Sequence, residues 1–243
     1  MAGHFVRWIG SNDLPGEALN IPQTVIDSAN RLPDKRRSRF LAARILLAQL
    51  MLRIYGIDQL PTLIVTHCGK PAFADTMLPD FSIAYAGNVV GVLLADEGGK
   101  AGLDMEIVRA HSRQSQAQLM QSLTSGEIAW INAQQDFMEA VTQIWTLRQS
   151  ILKIGGDQQN AMNLLRLHPA AGRLRSTLNP DIQAICDAEP MLVWSCALSP
   201  ATQWLHLWEW SQERGWQDLR DVEMTRPNIG PRALRLTSLP QEL

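Results

Sequence analysis

The sequence predicts an α+β chain built as two α+β halves, and three observations carry that reading. A long helical pattern opens at Pro33 and closes at Gly56, with Leu41, Ile45, Ala48, Leu52 and Tyr55 recurring at helical spacing. Two apolar runs, Phe81 to Ala86 and Val89 to Ala95, flank Gly87-Asn88, which is a hairpin signal. The same kinds of element recur later: a helical segment from Asp136 to Lys153, then alternating runs at Met191–Leu198 and Gln203–Trp210. The polar stretch His111 to Gln118 marks the division, giving an N-terminal half over residues 1–109 and a C-terminal half over residues 110–243.

Taken in order, His4 to Ile9 reads as a first strand, ended by the turn residues Ser11-Asn12-Asp13 and Pro15-Gly16. Pro22 to Arg31 suits a short helix. Pro33 can open the long helix because its missing N–H is not needed there, and Asp34 complements the helix dipole. Leu63 to His67 reads as a strand, and Gly69-Lys70-Pro71-Ala72-Phe73 as a rigid turn carrying one lysine. Asp96-Glu97-Gly98-Gly99 turns the chain into a strand ending in Gly102-Leu103-Asp104-Met105-Glu106. The first half is thus a helix on a mostly antiparallel sheet. Thr124-Ser125-Gly126-Glu127 fits a capping box, and Gly155-Gly156 stops the second long helix. Met191–Leu198 and Gln203–Trp210 read as a strand pair around the loop Ser199 to Thr202, and Thr237 to Leu243 as a frayed tail.

Twenty-two basic and 24 acidic residues leave a formal charge of -2, which favours neither nucleic acid nor an anionic membrane as the main partner. No basic segment followed by an apolar core opens the chain, and the apolar run Ile45 to Ile54 is interrupted and too short to span a bilayer. Cys68, Cys186 and Cys196 are odd in number and lack metal-ligand spacing, so buried thiols and a cytoplasmic protein are expected.

The chemistry concentrates in three places. On a strand, Asp104 and Glu106 point to one face while Leu103, Met105 and Ile107 point to the core. Two neighbouring carboxylates repel unless a positive charge sits with them, and Mg²⁺ suits because it needs few carboxylates and keeps room for phosphate oxygens. An acidic solvent-facing strand is the alternative. Lys35, Arg36, Arg37, Arg39 and Arg44 cluster at the start of the long helix, either as a solvated basic face or as forked donors for phosphate. Trp145, Gln149 and Lys153 share one face of the second long helix at i, i+4 and i+8.

The order of these pieces, from the Arg-rich helix start through Gly-Lys-Pro, Phe-Ser-Ile and Gly-Leu-Asp-Met-Glu to Trp-Thr-Leu-Arg-Gln-Ser-Ile-Leu-Lys, resembles the Sfp-type 4′-phosphopantetheinyl transferases over about Arg36 to Gly155. The resemblance implies a pseudo-dimer of two similar α+β halves, with coenzyme A and the active site in the cleft between them. It implies Mg²⁺-dependent transfer of phosphopantetheine to a serine of an acyl or peptidyl carrier protein, with release of 3′,5′-ADP; a monomer suffices. Carried over residue by residue, Asp104 and Glu106 match the metal carboxylates. Lys153 matches the lysine of the pyrophosphate region. Lys70, Arg44, Arg36 and Arg37 match the basic groups around the nucleotide and its 3′-phosphate. Glu127 matches a glutamate often present before the second long helix, and both a capping role and a site role stay open for it.

Three departures stand out. Arg148 replaces the family's lysine and keeps the charge. Gln149 replaces a glutamate, so the catalytic set Asp104, Glu106, Gln149 and Lys153 lacks its third carboxylate; a Gln carbonyl is neutral and a very poor base. Tyr85 replaces the histidine of the Ser-His-Ser strand and cannot become a cation near neutral pH, and alanines flank it. Each lost charge-assisted contact costs on the order of 2–4 kcal/mol of transition-state stabilisation. A family member with impaired catalysis that still binds coenzyme A or a carrier protein is therefore the alternative.

Overall fold

The computed structural model describes residues 2–10, 14–15, 20–108, 120–155, 165–177, 179–190, 192–224 and 234–236. The turn at 11–13 and Gly16, the polar stretch 111–118, Gly156, Met191 and the tail 237–243 lie outside the described residues. The fold is mixed α+β, in two compact units: Met1–Ala101 with Gln203–Glu223, and Gly102–Thr202 with Met224–Leu243.

In the first unit, strands β1 (Ala2–Ile9), β4 (Phe81–Ala86), β5 (Val89–Leu94), β11 (Trp204–Ser211) and β12 (Gly215–Glu223) form one sheet in the order β12-β11-β1-β5-β4. The β4–β5 hairpin turns at Gly87, whose φ of 57° suits a residue without a Cβ. A short helix α1 (Gln23–Asn30) precedes the long helix α2 (Asp34–Tyr55), which starts after Pro33 and ends at left-handed Gly56. Helix α2 buries Ala42, Ala43, Leu46, Leu47, Leu50 and Met51 against Val6, Trp8, Val90, Val92 and Leu94. Each fully buried Leu or Met among them contributes about 1.5–3 kcal/mol. The expected apolar stripe is buried at Ile45 and Ala48 but not at Leu52, which is 38 % exposed, and the middle of α2 is buried on a wider arc than one stripe. Strands β2 (Leu63–Val65) and β3 (Pro71–Phe73) form a separate hairpin, so Pro71, Ala72 and Phe73 are a strand rather than part of the turn.

His4 on β1 is buried and stacks on Trp208 and His206, with ring centroids 5.2 Å and 5.3 Å away. Burial, and then His206, push its pKa from 6.5 down to about 4, against the opposing charges of Asp96 and Asp221. The unfolded chain then binds a proton between those values that the folded chain refuses. Stability contributed by neutral His4 is present above about pH 6.5 and lost as pH falls towards 4, by on the order of 3 kcal/mol. Urea titrations at pH 7 and 4.5 are expected to show this loss, and a His4→Phe variant to show a shallower one; equal slopes would refute the assignment.

In the second unit, strands β6 (Lys100–Ile107), β9 (Gln183–Glu189), β10 (Leu192–Ser199) and β13 (Leu234–Arg235) form a sheet in the order β13-β9-β10-β6. Helix α3 (Ser125–Asn132) leads to the long helix α4 (Phe137–Gly155), and β7 (Leu165–His168) pairs with β8 (Arg173–Ser176). Leu147 and Ile151 of α4 pack on Ala184, Cys186, Val193 and Ala197. Ser150 Oγ and Ser195 Oγ share a buried hydrogen bond of 2.8 Å between α4 and β10.

The expected pairing of 191–198 with 203–210 is not formed. Strand β10 pairs antiparallel with β9, and β11 pairs in parallel with β1 and antiparallel with β12. Alternation marks a strand but not its partner, and the parallel partner of β11 lies some two hundred residues away in the chain. For the same reason 203–223 belongs with the first unit, whereas a single boundary after residue 109 puts it in the second half. Cys186 and Cys196 are buried free thiols, but Cys68 is exposed, on the turn between β2 and β3.

Candidate functional site

Strand β6 alternates as its sequence requires. Leu103 and Met105 are buried, while Asp104 and Glu106 are half-buried on the other face. Gly102 is what lets α4 approach this strand. A Cβ built there would overlap the carbonyl oxygen of Ser150 and stand 3.1 Å from Ile154 Cγ1. The close approach brings Lys153 of α4 onto β6, where its Nζ donates to Leu103 O and to Asp104 Oδ1, each at 2.7 Å. Burial raises the Asp104 pKa above the usual carboxylate range, and the charge and hydrogen bond of Lys153 work against that rise.

Along α4 nearly every residue from Ala140 to Leu152 is buried except Trp145 and Gln149, and these two form with half-buried Lys153 one partly open stripe. The stripe read from spacing is thus a real feature of the helix. On the inward side, Arg148 donates from Nε and Nη2 to the two carboxylate oxygens of Glu127, both at 2.8 Å, and both side chains are buried. Glu127 Oε2 also accepts from Thr124 N at 2.7 Å and Thr124 Oγ1 at 2.8 Å, completing the capping box of α3. Glu127 therefore caps a helix and neutralises Arg148.

The basic residues of the first unit are sorted by their partners. Arg36, Arg39, Phe40, Leu32 and Tyr85 line a cavity of about 260 Å³. Arg39 stands over the Tyr85 ring, 5.7 Å from its centroid, and donates to Gly87 O at 3.0 Å. Arg44 donates to Tyr85 Oη at 3.2 Å and stacks on Phe40 at 3.6 Å. Arg37 is held by Leu32 O and Asp34. Lys70 is bound to Asp80 Oδ2 at 2.7 Å and Ala101 O at 2.9 Å, and Asp80 Oδ2 also accepts from Ala101 N. Lys70 and Asp80 thus clasp the first turn of chain into β6, and Lys70 is absent from the lining of the cavity. Arg39 belongs to the basic cluster read at the start of α2 but not to the residues that the resemblance assigns to the nucleotide, although its i+3 spacing from Arg36 was the available signal. The Glu127–Arg148 and Asp104–Lys153 pairs join residues 21 and 49 positions apart and leave no local signal.

Among the described residues no group of three or more His, Cys, Asp or Glu side chains could hold a metal ion. Asp104 and Glu106 fit a hard cation only in the manner of Mg²⁺, which takes one or two carboxylates and completes its shell with water and phosphate oxygens. No helix among the described residues is long and apolar enough to cross a membrane.

No protein-family model matches the chain. It is 42 % identical to the uncharacterized protein YieE of Escherichia coli K12 over 246 residues, covering 98 % of this chain and 96 % of that protein. It is 27 % identical over 205 residues to a putative 4′-phosphopantetheinyl transferase of Haemophilus influenzae, covering 82 % of this chain and 86 % of that one. It is 35 % identical over 142 residues to the 4′-phosphopantetheinyl transferase AcpT of E. coli K12, covering 57 % and 67 % of the two chains. Motif order, the α+β fold and these similarities agree: the chain belongs to the 4′-phosphopantetheinyl transferase family.

Proposed function

We propose that this protein transfers the 4′-phosphopantetheine arm of coenzyme A to a serine of an acyl or peptidyl carrier protein and releases 3′,5′-ADP. The observation that supports this most directly is the Asp104–Glu106 face of β6 with Lys153 docked on it. In the reaction the serine oxygen bonds to the phosphorus that bears pantetheine, and the bond from that phosphorus to the bridging oxygen of 3′,5′-ADP breaks. Catalysis of such a step is mainly positioning and charge compensation. Mg²⁺ held by Asp104 and Glu106 would neutralise pyrophosphate charge and polarise the breaking bond. Lys153 supplies a second positive charge at the same face. Arg36, Arg39 and Arg44 with Tyr85 offer donors for the nucleotide phosphate, and Arg37 and Lys70 act chiefly through their structural partners. Gln149 cannot take the serine proton, which passes to water or to a phosphate oxygen.

The alternative, a member that binds coenzyme A or carrier protein with little turnover, is favoured by Gln149 on the open stripe and by Tyr85 engaged with Arg44. Intact-mass spectrometry of apo carrier proteins incubated with this protein, coenzyme A and Mg²⁺ decides between them. A gain of roughly 340 Da, the mass of the phosphopantetheine arm, is expected for the transferase. No gain on any carrier, alongside measurable coenzyme A binding, supports the alternative. Gln149→Glu is expected to raise turnover or metal affinity by about tenfold or more, the scale of one charged contact in such a site. No change in either would show that Gln149 is turned away from the reacting groups.

A further inference from the structure

We infer that Lys153 couples the binding of the divalent cation to the binding of the pyrophosphate substrate, because its ammonium group already occupies the carboxylate on which the cation depends. The inference rests on the functional reading above for the identity of the substrate, but its first half concerns only the metal and the protein.

Lys153 Nζ lies 2.7 Å from Asp104 Oδ1 and 2.7 Å from Leu103 O, so the ammonium is held by two oxygens of β6 rather than resting loosely on the surface. The pair is partly withdrawn from water, with side-chain exposures of 27 % and 14 % for Lys153 and Asp104. Screening there is weaker than at an open surface. A divalent cation on Asp104 would share one carboxylate with a monovalent cation, and the two positive charges repel. The lysine is already the counter-ion of the Asp104 carboxylate. A pyrophosphate group changes the balance. It brings negative oxygens to which Lys153 can turn, and it contributes oxygens to the metal's shell. Each ligand then removes the obstacle to the other, and by linkage the factor is the same in both directions. Gly102 is part of this arrangement, since a side chain there would hold α4 and its lysine away from β6.

The test is calorimetric titration of metal-free protein with Mn²⁺ and with Mg²⁺, with and without saturating coenzyme A, for the wild type, Lys153→Met and Lys153→Arg. Lys153→Gln, which keeps a donor for Leu103 O, serves where the methionine lowers stability, and thermal melts report that. Wild type is expected to bind metal about tenfold or more tighter once coenzyme A is present. Lys153→Met is expected to bind metal alone about tenfold tighter than wild type, and coenzyme A to tighten its metal binding by a smaller factor than in wild type, since only the direct ligation by pyrophosphate oxygens remains. Lys153→Arg keeps the charge and is expected to behave as wild type. Equal or weaker metal binding by both neutral variants overturns the inference, as does tight binding by Lys153→Arg. Metal binding that tightens in Lys153→Met while no protein binds coenzyme A supports the lysine's part and refutes the substrate reading.

Discussion

Arg148→Met is expected to lower the free energy of unfolding by about 3–5 kcal/mol, the cost of leaving one charge of a buried ion pair uncompensated. The Glu127 carboxylate is fully buried and receives two of its four hydrogen bonds from the Arg148 guanidinium. Without Arg148 the Thr124 donors to Oε2 remain, but the carboxylate loses its guanidinium countercharge. Glu127→Gln/Arg148→Met is expected to recover part of the loss, because it removes the orphaned charge while the amide oxygen can still accept from Thr124. Urea denaturation of both variants checks this. A double variant as unstable as the single one would mean that the pair itself, and not the orphaned charge, stabilises the contact of α3 with α4. The double variant also removes the pin that sets the rotation of α4. Turnover by a stable double variant is therefore expected to fall, since Gln149 and Lys153 follow Arg148 along the same helix.

Gly102→Ala is expected to cost about 3 kcal/mol, at the upper end for overpacking. The new methyl would overlap the backbone oxygen of Ser150 and press on Ile154 Cγ1, 3.1 Å away. A flexible side chain could swing aside, but a carbonyl in the middle of α4 cannot move without the helix. Ser150 also holds that helix to β10 through Ser195, so the shift is resisted on the far side. Chemical denaturation measures the stability loss, and metal titration measures whether Lys153 still reaches Asp104. A variant within about 0.5 kcal/mol of wild type, the range of ordinary surface substitutions, would mean that β6 and α4 are not held at this distance in solution.

Local signals account for much of what could be read from the chain. The hairpin at Gly87-Asn88, the capping box at Thr124 and the termination of α2 at Gly56 each depend on a few adjacent residues, and all three are formed. The alternation of β6 was legible in the same way, since Leu103 and Met105 are buried while Asp104 and Glu106 are not. The half-open stripe of Trp145, Gln149 and Lys153 follows from helical spacing alone. Strand partners beyond that hairpin did not follow. Alternation is the same whichever neighbour a strand chooses, so the parallel β1–β11 pairing and the separation of β10 from β11 were decided by packing. The stripe on α2 was only part of its buried surface: Ile45 and Ala48 are in the core, but a helix buried on a wide arc has no single apolar face for periodicity to find.

The sequence by itself determined the α+β class, the ends of the principal elements, the family, and which residue types stand at the motif positions, including Gln149 and Tyr85. Those properties are local or follow from motif order, and neither requires knowing where the chain returns. Only the tertiary structure decided what each charge faces. It gave Lys153 to Asp104, Arg148 to Glu127, Lys70 to Asp80 and Arg44 to Tyr85, and it set Arg39 beside Arg36 at one cavity. A charged side chain is written in the sequence as a type, but its energy and its availability for chemistry depend on the opposite charge it meets, and that partner is chosen by the fold.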